Sequence, residues 1–306
     1  MPYASVNGTK LYYRVRGQGI PIVCIHPPLL TSANFHYQAE QLSDEYRVIT
    51  FDIRGHGSSE ESATSITYPL IAEDIRQLLD YLGIDKAILC GYSTGGTVAL
   101  EAMLAYPDRF HGGILLSAMS EASDFVLRNR IRIAIGLSAW KSAIRLLMLA
   151  ITWGNSDSSR TYRRMIKRTR LGSPRNIHQF YRCSLAYNCT ERLSRIAAPM
   201  LLIYGEKDWG FKRYRRKLME GLRYASLVIL DKKKHQLPTK AASEIHAAIR
   251  DWVSLRTSGR PTSTAASPSL FSRSIRRLRK WNRKRLSSIK QQKTSPIGGW
   301  FLVLWQ

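Results

Sequence analysis

Short apolar runs bounded by Gly, Pro and Asp recur along the first part of the chain and again after Pro199. Ile22–Ile25, Val48–Phe51, Ala87–Cys90, Ile114–Leu116, Leu201–Tyr204 and Leu227–Leu230 each read as a strand buried on both faces. Between them the period changes. Ile71, Ile75, Leu78, Leu79 and Leu82 fall on one face of a helix over Tyr68–Leu82, and Thr94–Ala105 and Ala241–Val253 have the same character. Tyr3–Val6 and Lys10–Val15 flank Asn7-Gly8, which predicts an N-terminal hairpin. Continuous apolar strands alternating with helices predict an α/β fold: a mostly parallel sheet covered by helices on both faces. The alternation stops near residue 119 and resumes at Pro199. The intervening segment has helical stretches such as Ile131–Trp153 and no convincing strand. It is expected to be an all-helical lid insertion over 119–195, between core segments 1–118 and 196–255. Its apolar residues, among them Ile131, Ile133, Leu137, Trp140, Ile144, Leu147, Met148, Ile151 and Trp153, either pack the lid on the core or line an apolar pocket.

Composition alters this picture mainly through charge. Of 306 residues, 44% are apolar and 23% charged, a globular balance that excludes a disordered, collagen-like or disulfide-scaffold chain. No uninterrupted apolar run approaches the roughly 18 residues of a membrane span. Met1–Tyr13 lacks the basic and apolar regions of a secretory signal. The net charge is +25, and it is unevenly placed. Residues 119–195 carry 15 basic and 4 acidic side chains, and residues 256–306 carry 12 basic and none acidic. A nucleic-acid reader would place this charge on a recognition element of its core, so specific nucleic-acid binding is not expected. The tail over 256–306 begins as a Ser-, Thr- and Pro-rich linker. Within Leu270–Ile289, Phe271, Ile275, Leu278, Trp281 and Leu286 alternate with Arg and Lys, a basic amphipathic pattern suited to an anionic membrane surface. A basic tail without order is the plain alternative. Cys24, Cys90, Cys183 and Cys189 have neither metal-binding nor framework spacing. Reduced thiols in a cytoplasmic protein are the expectation, with the tail able to hold it at the inner membrane surface.

The chemistry centres on Gly91-Tyr92-Ser93-Thr94-Gly95, which joins the strand Ala87–Cys90 to the helix Thr94–Ala105. A serine in a G-x-S-x-G strand–turn–helix stands exposed at the sheet's C-terminal edge, beside backbone N–H groups that favour developing negative charge. The sharp turn needs small neighbours, and Gly91 and Gly95 supply them. A serine hydroxyl needs a base, normally an imidazole oriented by a carboxylate, and in this topology the acid and the His follow the Ser in the chain. Asp208 follows the strand Leu201–Tyr204, and His235 follows the strand Leu227–Leu230. Glu121, after Ile114–Leu116, is the rival acid. Without this chemistry, Asp208 would be a helix-capping turn residue and His235 a loop histidine beside Lys232–Lys234.

The chain resembles the α/β-hydrolase fold superfamily over about residues 3–255. The resemblance is carried by His26-Pro27-Pro28, by Asp52-Ile53-Arg54-Gly55-His56-Gly57-Ser58-Ser59, by the serine turn, and by Gly205-Glu206-Lys207-Asp208 with His235. The D-x-R-G-H-G-x-S form is similar to the single-lid branch of esterases, lactonases, haloperoxidase-like proteins, C–C hydrolases and prolyl aminopeptidases. The resemblance implies a catalytic triad of Ser93, Asp208 and His235, with His56 structural. It also implies an oxyanion hole built from the N–H of Thr94 and that of the residue at Pro28. Proline has no N–H, so the alternatives are that Leu29 donates instead, that the hole has one donor, or that a side chain such as Thr31 helps. Dehalogenase and epoxide hydrolase relatives use an Asp nucleophile, which Ser93 argues against. An aminopeptidase needs acids for the substrate ammonium, and the lid offers only Glu121, Asp124, Asp157 and Glu191. The expectation is a serine hydrolase cleaving a carboxylic ester or related small acyl compound, with no metal or organic cofactor. Lactone or C–C bond hydrolysis on the same triad, or a non-catalytic binding protein of the same fold, are the alternatives.

Overall fold

In the computed structural model, which describes residues 2–257, the hairpin at Asn7-Gly8 opens the sheet. Asn7 and Gly8 take φ of 45° and 69°, the left-handed geometry of a tight hairpin turn. They join β1 (Tyr3–Val6) to β2 (Thr9–Arg16). The remaining strands are β3 (Ile20–Ile25), β4 (Tyr46–Phe51), β5 (Ala87–Tyr92), β6 (Phe110–Leu116), β7 (Met200–Gly205) and β8 (Ala225–Leu230). The sheet order is β1-β2-β4-β3-β5-β6-β7-β8, with β1–β2 and β2–β4 antiparallel and every later pairing parallel. The parallel strands are the apolar runs. β5 and β7 are buried at every position, as strands covered on both faces must be. Residues 2–249 belong to one compact unit.

The helices are α1 (His36–Gln41), α2 (Tyr68–Tyr81), α3 (Thr94–Ala105), α4 (Phe125–Ser138), α5 (Lys141–Gly154), α6 (Ser159–Thr169), α7 (Pro174–Ala186), α8 (Lys212–Gly221), α9 (Leu237–Lys240) and α10 (Ala242–Thr257). The Thr67 hydroxyl caps α2 at Leu70 N–H, Ser158 caps α6 and Ser173 caps α7. α3 is buried continuously from Thr94 to Met103, so it is a core helix rather than an amphipathic one.

The segment between β6 and β7 holds α4 to α7 and a short 3-10 turn at Thr190–Arg195, with no strand of its own. The helical stretch read over Ile131–Trp153 is two helices rather than one. Ser138 Oγ donates back to Ile135 O, and Trp140 lies in extended backbone at φ −114° and ψ 128°, which ends α4 and starts α5. The four cysteines form no disulfide. Among the described residues no helix is long and apolar enough to cross a membrane. The basic amphipathic stretch over Leu270–Ile289 lies outside the described residues.

Candidate active site

Ser93 is held at the junction of β5 and α3 with φ 53° and ψ −124°, a region that side-chain-bearing residues avoid. Two backbone bonds fix the turn: Ser93 N–H donates to Leu116 O and Gly96 N–H to Ser93 O, both at 2.9 Å. The chain crosses itself too closely for larger residues. A Cβ at Gly91 would lie 2.4 Å from Gly96 Cα, and one at Gly95 would lie 2.2 Å from Ile25 O.

Asp208 and His235 leave the ends of neighbouring strands. β7 and β8 pair in register to Gly205↔Leu230. Beyond that point the loops stay joined. Glu206 N–H donates to Leu230 O at 2.9 Å, Lys207 N–H to Lys233 O at 2.8 Å, and Lys232 N–H to Glu206 Oε2 at 2.9 Å. His235 Nδ1 then lies 2.9 Å from Asp208 Oδ2, and His235 Nε2 lies 3.1 Å from Ser93 Oγ. An ionised carboxylate only accepts, so Nδ1 carries the proton and Nε2 offers a lone pair to the serine hydroxyl. Asp208 is nearly buried, and the imidazole is partly open to the cavity. Two aromatic rings flank it, Phe211 with a centroid separation of 4.2 Å and Tyr92 with 5.4 Å. Neither stood out in the sequence, although Tyr92 occupies the variable position of the serine motif. The Tyr92 hydroxyl donates to Asn155 Oδ1 on the loop after α5, at 2.9 Å.

The other candidates fall elsewhere. Glu121 is held by Lys217 and by the Thr190 hydroxyl, away from His235. His26 Nε2 accepts Ile53 N–H at 2.9 Å while Nδ1 donates to Pro27 O at 2.9 Å, and burial pushes its pKa down to about 4. His56 is buried against His26 and Phe180 and is pushed down to about 3, first by burial and then by His26. Both are neutral structural groups. Asp52 anchors the same loop by accepting from Ser32 N–H and Ser58 N–H, each at 2.8 Å. Of the lysines before His235, Lys233 turns away to Glu244 at 2.7 Å, while Lys234 lines the cavity.

Ser93, Thr94, Asp208 and His235 open onto a cavity of about 400 Å³, within the size range of small-molecule sites. Pro27, Pro28 and Leu30 form one wall. Pro28 and Leu29 are the central residues of a turn in which Leu29 takes φ 70°, the pattern of a type II turn that normally puts glycine there. Neither Leu29 N–H nor Thr94 N–H has a hydrogen-bond partner among the described residues. Thr31 is not part of the wall: its hydroxyl accepts Ala33 N–H at 3.3 Å and caps the short helical turn Ser32–Phe35. The opposite wall comes from α4 and α5. Ile131 and Ile151 face the cavity, Ile144, Leu147 and Met148 are buried, and Ile133, Leu137, Trp140 and Trp153 are exposed. Among the described residues, no group of three or more His, Cys, Asp or Glu converges in a way that could hold a metal ion.

The family model for the alpha/beta hydrolase fold matches residues 20–236. The chain is 26% identical over 258 residues to the human serine hydrolase BPHL, covering 81% of this chain and 84% of that protein. An esterase from Exiguobacterium antarcticum superposes with a TM-score of 0.74 at 21% identity, covering 82% of this chain and 98% of that one. Est816, described as an N-acyl homoserine lactone degrading enzyme, superposes with a TM-score of 0.66 at 25% identity, covering 82% of this chain and all of that one.

Proposed function

The chain belongs to the α/β-hydrolase fold family of enzymes, and from that premise we propose that it is a serine hydrolase that cleaves a carboxylic ester or related small acyl compound. The reading rests on one observation: a continuous relay in which Ser93 Oγ lies 3.1 Å from His235 Nε2 and His235 Nδ1 lies 2.9 Å from Asp208 Oδ2. In this reading Ser93 Oγ attacks the substrate carbonyl as its proton passes to Nε2. The negative charge formed on the carbonyl oxygen is met by Thr94 N–H and, in place of the proline that cannot donate, by Leu29 N–H. The imidazolium, steadied by Asp208, gives its proton to the departing alkoxide, and an acyl-enzyme remains. Water then attacks the ester carbonyl as Nε2 removes its proton, and Ser93 leaves with that proton restored. Helices α4 to α7 act as the lid, and Ile131, Ile151 and their neighbours receive the apolar part of the substrate. A lactone is a cyclic ester and follows the same steps, which the likeness to Est816 favours as a second reading.

The test is a panel of p-nitrophenyl esters of graded chain length, with a lactone series beside it, run on the wild type and Ser93→Ala. Fluorophosphonate labelling of both proteins accompanies it. The wild type is expected to turn over the esters and to be labelled. Ser93→Ala should lose labelling and fall in kcat by on the order of 10⁶. A folded wild type that is neither labelled nor active would make the protein a binder of this fold.

A further inference from the structure

The wall of the cavity contributed by α4 is apolar except at one position. Val126, Leu127, Arg130 and Ile131 line the cavity, which places Arg130 one helical turn from Val126 and on the same face. Two other cations, Lys207 and Lys234, reach the cavity from the loops that carry Asp208 and His235. The acids of the lining are Asp124 and Asp208, and both are committed. Asp124 caps α4 by accepting Leu127 N–H at 2.8 Å and also accepts the Tyr214 hydroxyl. Asp208 is occupied by His235. The neighbouring arginines of α4 have partners: Arg128 donates to Ala122 O at 2.9 Å and Arg132 to Asn129 Oδ1 at 3.0 Å. The Arg130 side chain has no hydrogen bond or ion pair to any described residue, although the residue is half-buried.

A guanidinium on an apolar wall has lost part of its hydration and needs an acceptor in return. Its planar fork matches a carboxylate in two parallel hydrogen bonds. The lining carries three cations against two carboxylates, so its net charge is positive. We infer that the cavity takes acyl substrates that carry a free carboxylate, and that Arg130 is the side chain that binds it. This deepens the serine hydrolase reading and rests on it for the reaction, but the binding step can be measured separately. Lys207 and Lys234, both exposed, add to the positive field while Arg130 supplies the fork. Leu127, Ile131 and Ile151, which line the cavity together with Arg130 and Ser93, suit the methylene chain of a half-ester.

Two arms locate the carboxylate. In the acyl arm, mono-p-nitrophenyl adipate is compared with p-nitrophenyl 6-methylheptanoate, whose terminal isopropyl group replaces the carboxylate. In the alcohol arm, 4-carboxyphenyl hexanoate is compared with 4-isopropylphenyl hexanoate. The full-length wild type should favour the carboxylate member of one arm by about tenfold or more in kcat/KM, mainly through KM. In Arg130→Gln that ratio should fall to about one, and in Arg130→Glu it should invert. Equal rates in both arms for the wild type, or a preference that survives Arg130→Gln, would overturn the inference. A direct measurement covers a variant that folds poorly or an enzyme that turns over none of these esters. Calorimetric titration of the wild type should show adipate binding at least tenfold more tightly than 1,6-hexanediol, with the advantage shrinking as salt is raised. Indistinguishable binding of the two would sink the carboxylate assignment whatever the outcome for hydrolysis, whereas failed hydrolysis with selective adipate binding would sink only the reaction.

Discussion

At the scale of single residues, the proposed reaction depends on one proton being on the right nitrogen. Asp208 accepts from His235 Nδ1 at 2.9 Å, which leaves Nε2 unprotonated toward Ser93. Asp208→Asn keeps the shape but offers an N–H where an acceptor is needed, so the imidazole turns to the wrong tautomer. The expected result is a drop in kcat on p-nitrophenyl esters of about 10⁴ with KM little changed, read beside an unaltered circular dichroism spectrum. An equal loss in KM would point to displaced binding instead. The sequence places Ser93 in a strand–turn–helix motif and His235 in a loop after a strand, both local features, and the structure puts the two side chains 3.1 Å apart. Chain order admits both Glu121 and Asp208, and it is the turn after the strand Leu201–Tyr204 that points to Asp208; in the structure Lys217 and Thr190 hold Glu121 elsewhere. Phe211 and Tyr92 were missed because an aromatic beside a loop histidine has no sequence period.

At the scale of elements, the loop after β4 shows how the scaffold keeps the strand ends in place. Arg54 is buried and donates to both oxygens of Asp74 on α2, to Asn7 O in the hairpin at 2.9 Å, and to the Ser62 hydroxyl at 3.2 Å. Burial raises the pKa of Asp74 while Arg54 opposes that rise, so the carboxylate depends on its partner. Arg54→Met would strand a buried carboxyl group and should cost about 3–5 kcal/mol in urea unfolding. The double variant Arg54→Met with Asp74→Leu should recover part of that loss, because both members of the ion pair are then gone and only the Asn7 side-chain amide, which also donates to Asp74 at 2.8 Å, loses a partner there. A single variant as stable as the wild type would contradict this account. The parallel strands coincide with the apolar runs, whereas α3, whose pattern predicts one apolar face, is buried all round from Thr94 to Met103. The break at Trp140 does not show in the pattern, since apolar residues recur at helical spacing on both sides of it.

At the scale of the whole molecule, two buried histidines tie stability to pH. His26 and His56 are held at about 4 and about 3 against an ordinary value of 6.5, chiefly by burial. Between those values and 6.5 the unfolded chain binds protons that the folded chain does not. Stability should therefore fall as pH drops from about 6.5 toward 4, by about 1.4 kcal/mol per pH unit for each histidine. Urea unfolding at pH 7 and pH 5 measures the slope, and His56→Gln should flatten it; an unchanged slope would remove His56 from the account. The alternation of apolar strands with helices and the tight turn at Ser93 follow from the chain directly, because each depends on residues a few positions apart. Only the tertiary structure decided that residues 142 and 27 positions apart form one relay. It also decided which of the many basic side chains of the inserted helices faces the cavity. Both outcomes depend on strand pairing and helix packing, which bring together groups that no local pattern relates.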